Sequence, residues 1–156
     1  MDDSRPLAEY GALMVTFATV FSVGTAAARR QGRLPAHVGA GDVVLGGMAT
    51  QKLSRLVAKD PVTRPVRAPF TELEPDGPPS SGRERPAAGG GVRQVLGELL
   101  TCPFCLSQWI AAGFTLGLLY APRVTRLVMA MSAMVGISDF LQVVYKAAEN
   151  RREPEG

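Results

Sequence analysis

Residues 104–120, FCLSQWIAAGFTLGLLY, contain no Asp, Glu, Lys, Arg or His, and prolines bracket them at positions 103 and 122. A helix on the surface of a water-soluble protein keeps a charged face toward solvent, and this segment has none. Its length meets the roughly 17–25 residues that a helix needs to cross a hydrocarbon core of about 30 Å. Two other segments meet the same condition. Residues 7–28 carry only Glu9 near their start, and residues 124–145 carry Arg126 near one end and Asp139 near the other. The 46% hydrophobic content of the 156-residue chain is gathered in these runs. The expected fold is therefore all-α, a single integral membrane domain bundling three to four helices.

Residues 42–59 are the ambiguous member. Their apolar run lasts only about nine residues before Gln51, Lys52 and Arg55, too short to cross alone. Val44, Leu45, Met48, Ala49, Leu53, Leu56 and Val57 recur at helical spacing, which describes an amphipathic helix lying in the interface or packed obliquely. The alternative is a short fourth span whose Lys52 and Arg55 reach back to the headgroups. The N-terminal run is read as a membrane helix rather than a signal peptide, because the residues before it are acidic and it exceeds the usual 7–15 apolar residues.

Short cytoplasmic loops of membrane proteins are enriched in Lys and Arg. With three spans, the basic segment 29–93 and the C-terminal tail are cytoplasmic, leaving Arg5, Arg123 and Arg126 outside. With four, Arg29, Arg30 and Arg33 move outside and Arg5 moves in, which weakens the bias without reversing it. Both arrangements put the loop before Cys102 and the C-terminus in the cytoplasm, the chain being a multi-pass protein of the cytoplasmic membrane. The net charge of +3 thus reflects topology, with the lipid bilayer as the main partner and no nucleic acid expected.

Residues 69–91 are dense in Pro, Gly, Ser and charge and are expected to be a disordered cytoplasmic spacer. Just before them, the Pro-punctuated stretch 60–70 is expected to lie extended along the membrane, where Arg64 and Arg67 contact anionic headgroups or solvent.

Cys102-Pro103-Phe104-Cys105 uses both cysteines of the chain where loop becomes helix. Pro103 suits a first helical turn, Thr101 or Cys102 suits the N-cap, and the helix dipole there favours a thiolate. The pair could serve metal binding or thiol exchange, or simply pack a tight helix start. A zinc or iron site shared across a dimer would supply the four ligands that two thiols in one chain cannot; His37 lies in a distant loop. Glu98, Cys102, Cys105 and Trp109 follow steps of four, three and four residues and would share one side of a continuous helix, although Trp109 also suits an interfacial anchor. Asp139, with Ser138 and Gln142 nearby, needs a protein or water partner within its membrane helix. Lys52 or Arg55 is the expected partner, in a structural ion pair or in ion or proton handling. Gly113, Gly117 and Ala121 form a small-residue face that permits close helix approach.

The blocks Glu98-Leu-Leu-Thr-Cys-Pro-Phe-Cys-Leu-Ser-Gln-Trp109, Ala49-Thr-Gln-Lys-Leu-Ser-Arg-Leu56 and Arg64-Pro-Val-Arg-Ala-Pro-Phe70 resemble the bacterial DUF1360 family of small membrane proteins, over roughly residues 40–147. The resemblance implies a membrane protein related to a sporulation-associated member and carries over no biochemical activity.

No catalytic triad, paired acidic site or metal-ligand histidine spacing appears, and Gly89-Gly90-Gly91 lacks the Lys-Ser/Thr ending of a phosphate loop. The leading expectation is a non-enzymatic scaffold that binds itself or another membrane protein. Behind it stand a membrane thiol protein using Cys102 and Cys105, and a subunit of an oligomeric transporter lined by Asp139 and Gln142.

Overall fold

Pro103 and Pro122 each open a helix, so the apolar sequence between them folds as one rod and the run beyond as another. The computed structural model describes residues 6–74 and 84–151. It contains α1 (Leu7–Arg30), α2 (Ala40–Lys59), a 3₁₀ turn (Pro61–Thr63), α3 (Arg64–Arg67), β1 (Thr71–Leu73), β2 (Glu84–Pro86), α4 (Gly91–Thr101), α5 (Pro103–Tyr120) and α6 (Pro122–Asn150). The class is all-α. Helices α1, α5 and α6 are long and apolar enough to cross a membrane. Large apolar side chains such as Met14, Leu127, Met131 and Leu141 stand exposed along α1 and α6, a surface suited to hydrocarbon rather than water.

Contacts between the helices fix their directions. Tyr10 of α1 donates to Glu98, Phe17 meets Trp109, and Gly24 accepts from the Tyr120 hydroxyl at 2.7 Å, so α1 and α5 run parallel. Asp42 pairs with Arg126 and Lys52 with Asp139, so α2 and α6 also run parallel. The single residue Ala121 between α5 and α6 makes those two antiparallel. Helix α2 consequently stands upright against α5 and α6 as the fourth member of the bundle, instead of lying flat across its end. Small residues allow this: Ala49 is fully buried, and a Cβ on Gly136 would sit 3.3 Å from Lys52 Cβ. The start of α1 accordingly shares an end of the bundle with α4 and the central segment, whereas the three-span arrangement sets them on opposite sides.

The spacer expected over 69–91 is replaced, where described, by order. Thr71–Leu73 pairs antiparallel with Glu84–Pro86, in the register Thr71↔Pro86 and Leu73↔Glu84; residues 75–83 lie outside the described residues. The cause is a buried charge. Arg67, only 2% exposed, donates through Nε to Glu84 at 2.7 Å, and its Nη1 reaches the carbonyls of Val57 and Asp60 and the Thr63 hydroxyl. It thereby satisfies carbonyls left open at the end of α2. Arg64 and Thr71 complete the set around the same carboxylate, at 3.0 and 3.3 Å.

Arg67 therefore faces protein rather than lipid, and Arg64 is held beside it. The stretch 60–70 is not extended either. The Asp60 carboxylate accepts from the Val62 amide at 3.3 Å, and Pro61 opens the 3₁₀ turn. The strand pair can rest on α4 only at a glycine. A Cβ on Gly97 would collide with the Phe70 carbonyl oxygen and stand 3.2 Å from Pro86 Cα. Residues 60–74 and 84–101 thus form a polar cap on one end of the bundle.

Candidate thiol site

The cap meets the bundle at Cys102. Helix α4 ends at Thr101, whose hydroxyl turns back to the Gly97 carbonyl at 2.8 Å. Cys102 then adopts an extended conformation (φ −101°, ψ 104°), and Pro103 restarts the helix as α5. This break corrects the expectation of one continuous face from Glu98 to Trp109, because Glu98 belongs to α4 and Trp109 to α5. The two remain linked through α1. Glu98 accepts from Tyr10 and from Gln94 Nε2, and the Trp109 ring meets Phe17 edge-on at 5.1 Å.

The corner turns Cys102 into the N-cap of α5. Its sulfur accepts the Cys105 amide at 3.3 Å and lies 2.7 Å from the Cys105 sulfur. Both thiols are free; Cys105 is exposed and Cys102 partly so. The Cys105 thiol, donating to Cys102, is the main force holding the Cys102 pKa below its ordinary value. Burial works against it, while the amides of Cys105 and Phe104 and the positive charge of Lys59 reinforce it. Lys59, at the end of α2, was not singled out from the sequence, since the chain separates it from Cys102 by the whole cap.

Two sulfurs a helical turn apart can exchange with a disulfide or supply half of a tetrahedral metal site. Among the described residues, no three His, Cys, Asp or Glu side chains gather in a group able to hold a metal ion. His37 lies at the other end of the bundle, lining the same cleft as Arg126.

The remaining polar residues fall elsewhere. Asp139 Oδ2 is 2.6 Å from Lys52 Nζ, and Arg55 lines the same cleft between α2 and α6. Gln142 donates to Ser138 at 3.4 Å along α6. Gly117 lets Thr125 of α6 approach α5, whereas Gly113 has nothing within 4 Å of its would-be Cβ.

Residues 45–145 match the model of a family described as "Protein of unknown function (DUF1360)". This chain belongs to the DUF1360 family. The DUF1360 match begins within α2 and ends within α6, so it takes in the cap, the thiol corner and the Lys52–Asp139 pair, and leaves α1 outside. A curated relative, Sporulation protein YjcA of Bacillus subtilis (strain 168), is 27% identical over 104 residues, covering 65% of this chain and 88% of the relative. No solved structure matches this DUF1360 chain.

Proposed function

We propose that the chain is a four-pass membrane protein presenting Cys102 and Cys105 as an exchangeable dithiol at its cytoplasmic end. The observation that carries this reading is the Cys102 sulfur, seated as a helix cap with the second sulfur 2.7 Å away. In the exchange, the Cys102 thiolate attacks a disulfide of a soluble partner. That S–S bond breaks, and the departing partner sulfur takes up a proton. Cys105 then loses its proton and attacks the Cys102 sulfur, forming the Cys102–Cys105 disulfide and releasing the second partner thiol. Two electrons pass from the dithiol to the partner.

The cytoplasmic assignment rests on charge. With α2 crossing beside α5 and α6, only Arg29, Arg30, Arg33, Arg123 and Arg126 of the fourteen Lys and Arg among the described residues fall at the end away from the cap. A reducing compartment also suits free thiols. A role in sporulation draws support from the printed name of the Bacillus relative.

A second reading, a scaffold for a partner protein, is favoured by the folded polar cap beside the thiols, which offers a shaped surface where a spacer was expected.

One experiment separates the two. The full chain is purified in mild detergent without oxygen, its bound metal measured, and its maleimide reaction followed across pH in wild type, Cys102→Ser and Cys105→Ser. Exchange chemistry predicts metal-free protein in which Cys102 reacts at lower pH than an ordinary thiol, an advantage kept in Cys105→Ser, whose hydroxyl can still donate to the Cys102 sulfur. Zinc or iron at about half an equivalent per chain, the ratio a four-ligand site across two chains requires, would replace exchange with a shared metal site. Metal-free cysteines of ordinary reactivity would leave the scaffold.

A further inference from the structure

At the end away from the cap, the bundle does not close. A cleft of about 640 Å³ opens between α2 and α5, within the size range of small-molecule sites. Its α2 wall is Val43, Gly46, Gly47 and Thr50, and its α5 wall includes Ala111, Phe114, Thr115 and Leu118. Both sets follow steps of three, one and three residues, so each is a single helix face turned toward the other. The gap exists because the middle of the α2 face has no side chains. Met129 of α6 takes up the space over Gly46, its methyl 3.1 Å from where a Cβ would sit, but a Cβ on Gly47 would meet nothing within 4 Å.

The mouth of the cleft is cationic. Arg33, His37 and Arg126 line it, with Asp42 the acidic group facing them. Asp42 is engaged by Arg126 through two bonds of 2.8 Å. Arg33 is steadied by the Tyr120 carbonyl at 3.2 Å and lies over the Tyr120 ring at 5.5 Å, an exposed guanidinium held in place without a carboxylate among the described residues. Arg29 and Arg30 end α1 and Arg123 begins α6 at the same level. Apolar walls leading to a basic rim, at the end of a membrane bundle, describe the two halves of one ligand.

We infer that this cleft binds an anionic glycerophospholipid, its phosphate at Arg33 and the Arg126 rim and an acyl chain between α2 and α5 against Gly47. The charge complementarity names the head, and the missing side chains at Gly46 and Gly47 make room for the chain. The inference rests on the membrane reading of the bundle but not on the thiols or on which end is cytoplasmic, so it can fail or hold independently of exchange chemistry.

The test is native mass spectrometry of the full-length protein in detergent, offered phosphatidylglycerol, phosphatidylcholine or inorganic phosphate. Wild type should retain phosphatidylglycerol over phosphatidylcholine by about fivefold, the preference that one well-placed arginine confers. Gly47→Leu, which fills open space, should drop that retention to the phosphatidylcholine level. Arg33→Gln, an exposed change that keeps the fold testable should the first variant fail to assemble, should abolish the preference. Equal retention of the two lipids by wild type overturns the inference. So does a folded Gly47→Leu protein that holds phosphatidylglycerol as before, or inorganic phosphate that binds as well as the lipid, which would make the rim a free-anion site.

Discussion

At the cap, Arg67 and Glu84 pair with side chains 3% and 7% exposed, and five other groups converge on them. At the opposite end, Arg126 and Asp42 pair at the same kind of distance with side chains 54% and 22% exposed, beside an open cleft. One pair is the centre of a small polar fold; the other clips two helices that already lie together. Breaking a buried ion pair strands a charge without water, whereas breaking an exposed one hands both partners to solvent. The same chemistry therefore has different structural weight at the two ends.

Removing the carboxylate from the cap gives the largest contrast. Glu84→Gln leaves the buried Arg67 guanidinium without its counter-charge and should destabilise the cap by about 3 kcal/mol, seen as faster amide exchange over residues 60–74 and 84–101 with α5 and α6 unchanged. Exchange spread evenly along the chain would mean that the cap is not a separate unit. The pH dependence has the matching sign. Burial alone would raise the Glu84 pKa, but Arg67, Arg64 and Thr71 together hold it below the usual glutamate value. Its stabilisation is thus complete above that value and disappears as pH falls through the lower, folded one. Acid should release cap amides first.

Gly97→Ala probes the cap from its other side. The methyl group meets backbone at Phe70 and Pro86 rather than a yielding side chain, so the strand pair must lift from α4, at about 1–3 kcal/mol for an overpacked contact. Thermal melts that match wild type would show that the hairpin shifts freely.

Asp139→Asn should have a smaller effect, about 1 kcal/mol, because the asparagine carbonyl oxygen can still accept from the largely covered Lys52 across the α2–α6 contact. Cysteine cross-linking between α2 and α6 should report unchanged proximity. Asp42→Asn is expected to do least, leaving the melting curve indistinguishable from wild type. A large loss there would erase the distinction between the ends.

How much of this was legible in the sequence divides along the same line. The three long apolar helices announce themselves, because crossing hydrocarbon demands length and apolarity that can be counted residue by residue. Asp139 likewise demanded a cation at its depth, and Lys52 on the facing helix stands 2.6 Å away. The cap was hidden. Its Pro, Gly and Ser content is that of a spacer, and its order comes from Glu84 reaching back seventeen residues to Arg67, a pairing that no local pattern displays. For the same reason Arg64 and Arg67 looked like contacts to headgroups or solvent. At the thiol corner, Pro103 and the cysteine spacing pointed to a helix start. That Cys102 itself breaks the chain, and that Lys59 stands close enough to favour its thiolate, depended on how α2 packs. The cleft at the far end was invisible because it is made by the absence of side chains at Gly46 and Gly47.

The parallel pairing of α2 with α6 has a consequence in time. Asp42 and Arg126 are 84 residues apart in the chain, and Lys52 and Asp139 are 87 apart. A ribosome adding about 5–20 residues per second makes α2 wait about 4–17 s for its charged partners. During that interval α2 is a short, marginally apolar helix with an unmatched acid and an unmatched lysine. Its charged groups are matched only after α6 has been made, so a chain halted before Arg126 should leave α2 more open than α1 to protease added on the ribosome's side.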